Sequence, residues 1–190
     1  MEIGQLKNAL IEGAIDVVSK KGLVGATTSA IGQRAHCNEA YIYRLFGGKR
    51  ELLKATFERL DTELANCIEY GIKKNHDSTI EEDFNKIFLL VWEFLLEKRD
   101  RTAFLIRYYH SSFYTGGYDV QRKKAYEKVL SWMSMYLKPD CDAWWLLNQI
   151  YDLLFNTIGR IFKGEEKDEL STRNRIYGLI YYILSPYLKG

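Results

Sequence analysis

Three histidines (His36, His76, His110) and three cysteines (Cys37, Cys67, Cys141) are the side chains best suited to metal binding or nucleophilic attack. Their spacing serves neither. No two histidines stand four residues apart, and no cysteine pair has the short gap of a zinc site. An odd number of distant cysteines argues against a disulfide framework and for reduced thiols packed as small apolar groups. Gly48-Lys49 has the closing dipeptide of a phosphate loop, but Tyr43 stands where the first glycine belongs and Arg50 where Ser or Thr belongs. Arg107, Tyr108, Tyr109 and His110 read as solvated charges beside core aromatics, and Arg122-Lys123-Lys124 as a solvated helix face. No catalytic residue, metal ligand or cofactor is expected.

Residues 27–50 carry a different chemistry. Thr27 and Thr28 can cap a short helix to about Ala35, and Asn38 a second over about Glu39–Phe46, stopped by Gly47 and Gly48. Two short helices separated by three residues suggest a helix-turn-helix. Ile31, Ala35, Ile42 and Phe46 can form its shared core. Glu39, Ala40, Tyr41, Tyr43 and Arg44 are then left for the other faces of the second helix. Such a face fits the major groove and reaches both base edges and phosphates. Charge agrees in sign. The chain carries +2 overall, while residues 1–54 hold eight Lys/Arg against five Asp/Glu, an excess of three.

The elements that must position this segment are helical throughout. The chain has 190 residues, 47% hydrophobic and 27% charged, and only two prolines, Pro139 and Pro186. So few breakers predict an all-α protein. Leu6, Leu10, Ala14, Val17 and Val18 recur at helical spacing and predict a helix over 3–21, stopped by Gly22. After the two short helices come predicted helices over about 49–72, 80–98, 101–113, 119–137, 141–163 and 172–188, making nine. The joints are Lys73–Thr79, Thr115-Gly116-Gly117, Pro139 and Lys163–Glu169. Glu2, Lys7, Glu12 and Asp16 interrupt any signal-like apolar run, and Ile87–Leu96 and Ile176–Leu188 fall short of the ~20 residues of a membrane span. A soluble, cytoplasmic protein without a membrane partner is expected.

The run Thr27-Thr28-Ser29-Ala30-Ile31, continued by Ala35-His36-Cys37-Asn38-Glu39-Ala40-Tyr41-Ile42-Tyr43-Arg44-Leu45-Phe46-Gly47-Gly48-Lys49-Arg50-Glu51-Leu52, resembles the tetracycline-repressor (TetR/AcrR-like) family of transcriptional regulators. Thr27, Thr28, Ile31, Ala35, Tyr43, Arg44, Phe46, Lys49 and Leu52 fall at the family's positions, and the resemblance covers residues 6–53. The chain departs from the pattern at Gly32 (usually alanine), His36 (the turn glycine), Leu45 (commonly histidine) and Arg50 (usually glutamate). A glycine inside a helix costs about 1 kcal/mol against alanine.

The resemblance implies a three-helix DNA-binding head over residues 1–54 and a larger helical effector-binding and dimerisation body over 55–190. It implies phosphate contacts from Thr28, Tyr43 and Lys49 and base reading by Asn38, Glu39, Ala40 and Tyr41, with Ser29 and Arg44 completing the DNA-contact set. Glu39 admits two readings: a carboxylate that accepts from cytosine N4, or a first-turn acid complementing the helix dipole. Phe88, Trp92, Phe104, Tyr108, Trp132, Tyr151 and Phe155 lie on helices that in the family surround an effector cavity; taken singly each reads as packed core, and only the resemblance points to a cavity for the group.

Leu147, Ile150, Tyr151, Leu154, Ile158 and Ile161, then Ile176, Leu179, Ile180, Ile183 and Tyr187, give the last two helices broad apolar faces. A homodimeric four-helix bundle would cover them, as would burial within the chain. The whole reads as a non-enzymatic repressor released from double-stranded operator DNA by a small-molecule effector. An all-α enzyme or a helical ligand carrier are rivals that the Thr28, Tyr43 and Lys49 pattern disfavours.

Overall fold

A computed structural model of the chain describes residues 2–74, 79–115 and 119–189. His76 and the glycines of the 115–117 joint lie outside the described residues. Among those described, ten α-helices follow one another with no strand beyond an isolated bridge between Leu137 and Leu188. They are α1 (Ile3–Gly25), α2 (Thr28–Arg34), α3 (Ala40–Phe46), α4 (Lys49–Lys74), α5 (Ile80–Glu97), α6 (Arg99–Tyr109), α7 (Asp119–Ala125), α8 (Glu127–Tyr136), α9 (Ala143–Lys163) and α10 (Leu170–Leu184). The expected single helix over 119–137 is two, divided at Tyr126, whose fully buried ring packs near Trp144 and Tyr151. A 3-10 turn, Ser185–Tyr187, replaces the last predicted turn at Pro186.

The chain forms two compact units, one of Met1–Asp61 with Lys98–Tyr118 and one of Thr62–Glu97 with Asp119–Gly190. In the first, α1 buries Leu10, Ala14 and Val18 completely, as its spacing predicts. Its regular course breaks at Gly22 (φ 72°, ψ 172°), a conformation essentially confined to glycine, and one further turn carries it to Gly25. Helix α6 packs on α1. There the Arg107 guanidinium donates to the carbonyls of Val18 and Ser19, two of the acceptors a helix end leaves open. Glu12 of α1 receives Arg101 at 2.8 Å and Arg59 at 3.2 Å. Leu52, Leu53, Phe57, Phe104 and Tyr108 complete the core.

In the second unit α9 starts on Asp142, whose carboxylate accepts from the N–H groups of Trp144 (2.9 Å) and Trp145 (3.1 Å). The α9–α10 connection is fixed by Asp168, which takes the Trp92 indole N–H at 2.9 Å and two Arg173 donors at 2.8 Å. The Tyr177 hydroxyl donates to the Glu81 carbonyl at 2.8 Å, and burial, with the charge of Glu81 and neighbouring Tyr181, pushes its pKa up to about 12. Arg122 corrects the solvated-face reading of 122–124. Lys123 and Lys124 are exposed, but Arg122 is 3% exposed, with its guanidinium 5.0–5.7 Å from the rings of Trp144, Tyr126 and Tyr151. It also donates to Asn148 at 3.2 Å. Delocalised charge over aromatic faces tolerates burial better than an ammonium does.

Candidate nucleic-acid interface and apolar cavity

Helices α2 and α3 are built by local capping. The Thr27 hydroxyl accepts from the Ala30 N–H at 3.1 Å, and the Asn38 side-chain oxygen accepts from the Ala40 N–H at 2.8 Å. Between them His36 takes the left-handed conformation (φ 53°) at the position of the family's turn glycine. Gly47 ends α3 with φ 88° and its N–H on the Tyr43 carbonyl at 2.9 Å. Ile31 and Ile42 are fully buried and Ala35 nearly so, while Phe46 is half-buried.

Gly32 explains why the helices meet so closely. A Cβ there would stand 3.0 Å from the Cys37 carbonyl oxygen and 3.1 Å from the Glu39 nitrogen. The departure from alanine is thus a close backbone approach. Sequence alone shows a helix-weakening residue at that position and nothing of what lies opposite it.

With Ile42 inward, Asn38, Glu39, Ala40, Tyr43 and Arg44 are exposed, as is Ser29, while Thr28, Tyr41 and Lys49 are half-buried. The Arg44 guanidinium lies 5.2 Å from the centre of the Tyr41 ring. Two expected phosphate contacts already have partners within the chain. The Thr28 hydroxyl donates to Glu39 Oε2 at 2.9 Å. Lys49 Nζ donates to the Leu23 carbonyl at 2.9 Å, tying the start of α4 to the end of α1, and burial lowers its pKa from the ordinary lysine value. No sequence signal marks the Thr28–Glu39 bond, since the residues are eleven apart, one opening α2 and the other preceding α3. Asp16 braces α1 on α2 by accepting from Lys20 at 2.6 Å and Arg34 at 2.8 Å, and these bonds hold its carboxyl below the usual range.

In the second unit Phe88, Trp132 and Tyr151 line a cavity of about 70 Å³. The other described residues of its wall are apolar, including Ile68, Phe84, Met133 and Leu184. Trp92 and Phe155 are not in the wall; Trp92 packs on Phe88, and Phe155 stacks on Tyr151 at 5.6 Å. Phe104 and Tyr108 belong to the other unit, where Tyr108 stacks on Phe57 at 4.8 Å. They lie outside this cavity, because α6 turns its aromatic face into the core it shares with α1.

The proposed dimer residues divide. Leu147, Leu154, Ile158, Ile176 and Ile180 are buried within the chain itself, the alternative cover for these faces, and Leu147, Ile150, Leu154 and Ile180 line the cavity. Ile161 and Ile183, like Ile150, are half-buried. Leu179 and Tyr187 are exposed, and so is Tyr182, which the apolar periodicity missed.

His36 and His110 are exposed, and the three cysteines are half-buried and form no disulfide. Burial raises the pKa of Cys37; burial, with Asp140 and Asp142, raises that of Cys141. Raised thiols are poor nucleophiles. Among the described residues no group of three His, Cys, Asp or Glu could hold a metal ion, and no helix is long and apolar enough to cross a membrane.

Residues 10–56 match the tetR family of bacterial regulatory proteins. The HTH-type transcriptional regulator YvdT of Bacillus subtilis (strain 168) is 24% identical over 170 residues, 84% of each chain. A tetR family transcription regulator from Shewanella sp. PV-4 shares the fold with a TM-score of 0.80 at 14% identity, covering 97% of this chain and 99% of that one. The transcriptional regulator FadR from Bacillus subtilis, solved in complex with stearoyl-CoA, shares it with a TM-score of 0.65 at 15% identity, over 91% and 96% of the two chains.

Proposed function

From a chain that belongs, through residues 10–56, to the tetR family of bacterial regulatory proteins, we propose a homodimeric repressor that a small apolar effector releases from its operator. The chain is a DNA-binding transcriptional regulator; the sign of regulation, the effector and the dimer are our reading. The proposed division of labour is a DNA-reading head over 1–54 and an effector-binding and dimerising body over 55–190.

The observation that carries the DNA contact is the two-sidedness of α3. Ile42 is fully buried, while Ala40, Tyr43 and Arg44 stand exposed on a helix capped at both ends. Arg44 and Tyr43 then reach phosphates, and Asn38, Ala40 and Tyr41 reach base edges. Two such helices in a dimer must stand ~34–36 Å apart, or a multiple, to enter successive major grooves.

The cavity supports an uncharged, apolar effector or effector moiety. Among the described residues its wall offers no ionised group to repay the desolvation of a charge. At about 70 Å³ it is smaller than the roughly 300–1,000 Å³ of drug-sized sites, so a ligand must displace wall side chains on entry. Only a ligand with different affinities for the DNA-bound and free conformations can release the operator.

The test is selection of bound sequences from random duplex DNA by the full-length chain. A two-fold symmetric site is expected, with binding that weakens steeply as salt rises. Recovery of no enriched sequence overturns the reading.

A further inference from the structure

We propose that Glu39 is a specificity gate, held on Thr28 in the free protein and released to accept from a cytosine when the correct site is bound. The inference rests on the reading of α2 and α3 as a DNA-binding pair. Its starting point is the bond that joins them, Thr28 Oγ1 to Glu39 Oε2 at 2.9 Å. A threonine hydroxyl has one proton to donate. While that proton is on Glu39, Thr28 cannot donate it to a phosphate.

The acceptor is itself a solvent-exposed carboxylate on the residue before α3, so a phosphate approaching Thr28 meets a negative charge within hydrogen-bond reach of the hydroxyl. Docking on DNA through Thr28 therefore requires Glu39 to leave. A freed carboxylate among phosphates is unfavourable unless it finds a donor. In the major groove the exocyclic amine of cytosine is such a donor, and carboxylates are suited to it. Duplexes without a cytosine at that position leave the charge uncompensated and are rejected. Specificity of this kind is built from a repulsive element as much as from an attractive one.

The alternative reading, an acid complementing the dipole of α3, needs no partner on α2. The bond to Thr28 draws the carboxylate toward the other helix.

The experiment compares the full-length parent with Glu39→Gln and Thr28→Val. Each is selected on random duplex DNA, then titrated with its selected site and with a scrambled duplex. The parent should hold a cytosine at one position of each half-site. Glu39→Gln should lose it or exchange it for adenine, the base that glutamine reads with two bonds. Its affinity for the scrambled duplex should rise, narrowing the ratio of specific to nonspecific binding about tenfold. Thr28→Val should weaken binding to both duplexes alike and leave the cytosine in place.

If Glu39→Gln keeps the parent profile at every position, Glu39 reads no base and the proposal fails, even if both affinities rise together. Loss of the cytosine in Thr28→Val also counts against it, because the pair would then be a brace that sets the pose of α3. A parent that enriches no sequence removes the DNA reading itself, a distinct outcome from the failure of Glu39. Glu39 is exposed, so helical content by circular dichroism should match the parent in Glu39→Gln, and the same measurement checks that Thr28→Val, at a half-buried position, is folded.

Discussion

At Gly32 two preferences oppose each other. Alanine would gain about 1 kcal/mol of helix propensity. Its methyl group, however, would press on the backbone of Cys37 and Glu39 at 3.0–3.2 Å, and overpacking against groups that cannot rotate away costs about 1–3 kcal/mol. We expect the second effect to win. Gly32→Ala should lower the melting temperature, and because the strain falls on the turn before α3 it should also weaken DNA binding. An unchanged or raised melting temperature would mean that the turn yields without cost.

Between elements, the α1–α2 brace at Asp16 has a pH signature. Its carboxyl is lowered below the ordinary value of about 3.9 by its bonds to Lys20 and Arg34. The native state therefore holds the proton less tightly than the unfolded chain does. The stabilisation is fully present above the unfolded pKa and is lost as pH falls through the folded one. Lys20 and Arg34 are 64% and 53% exposed, so solvent screening keeps the pair near or below about 1 kcal/mol. Asp16→Asn should lower the melting temperature by about 2 °C at pH 7. That difference should shrink below pH ~4 and disappear in stronger acid. A difference that stays constant from pH 7 into acid would show that Asp16 acts through packing. The α9–α10 connection uses the same device, since Asp168 is lowered by its Arg173 and Trp92 donors.

For the whole molecule, the question is what covers α10. Leu179 is 46% and Tyr182 76% exposed, while Ile176 and Ile180 of the same helix are buried. Large apolar side chains on one helix face, in a chain whose DNA site is expected to be symmetric, favour a second copy as their cover. The double substitution Leu179→Glu and Tyr182→Glu should shift sedimentation toward the monomer and reduce operator affinity more than tenfold, since one head holds one half-site. Helical content should be retained, because neither side chain is in the monomer's core. A parent that stays monomeric at tens of micromolar, on the order of 10⁻⁵ M, would defeat the dimer proposal.

The order of the helices, their approximate ends and the recognition segment were legible in the sequence, because capping residues, glycine stops and a 3.6-residue apolar period are local properties. Asn38, Thr27 and Gly47 act where their types predict. Which face of each helix meets which neighbour is a long-range property, and tertiary structure alone decided it. The residues are apolar whether they meet a cavity, a core or a partner, and periodicity cannot distinguish these. So Phe104 and Tyr108 went to the core beside Phe57, and Leu147, Leu154 and Ile180 to the cavity wall. Arg122 was buried under three rings that lie elsewhere in sequence, and Thr28 met a carboxylate eleven residues away. Helix spacing specifies which side chains turn inward together; only the packed chain determines what they turn toward.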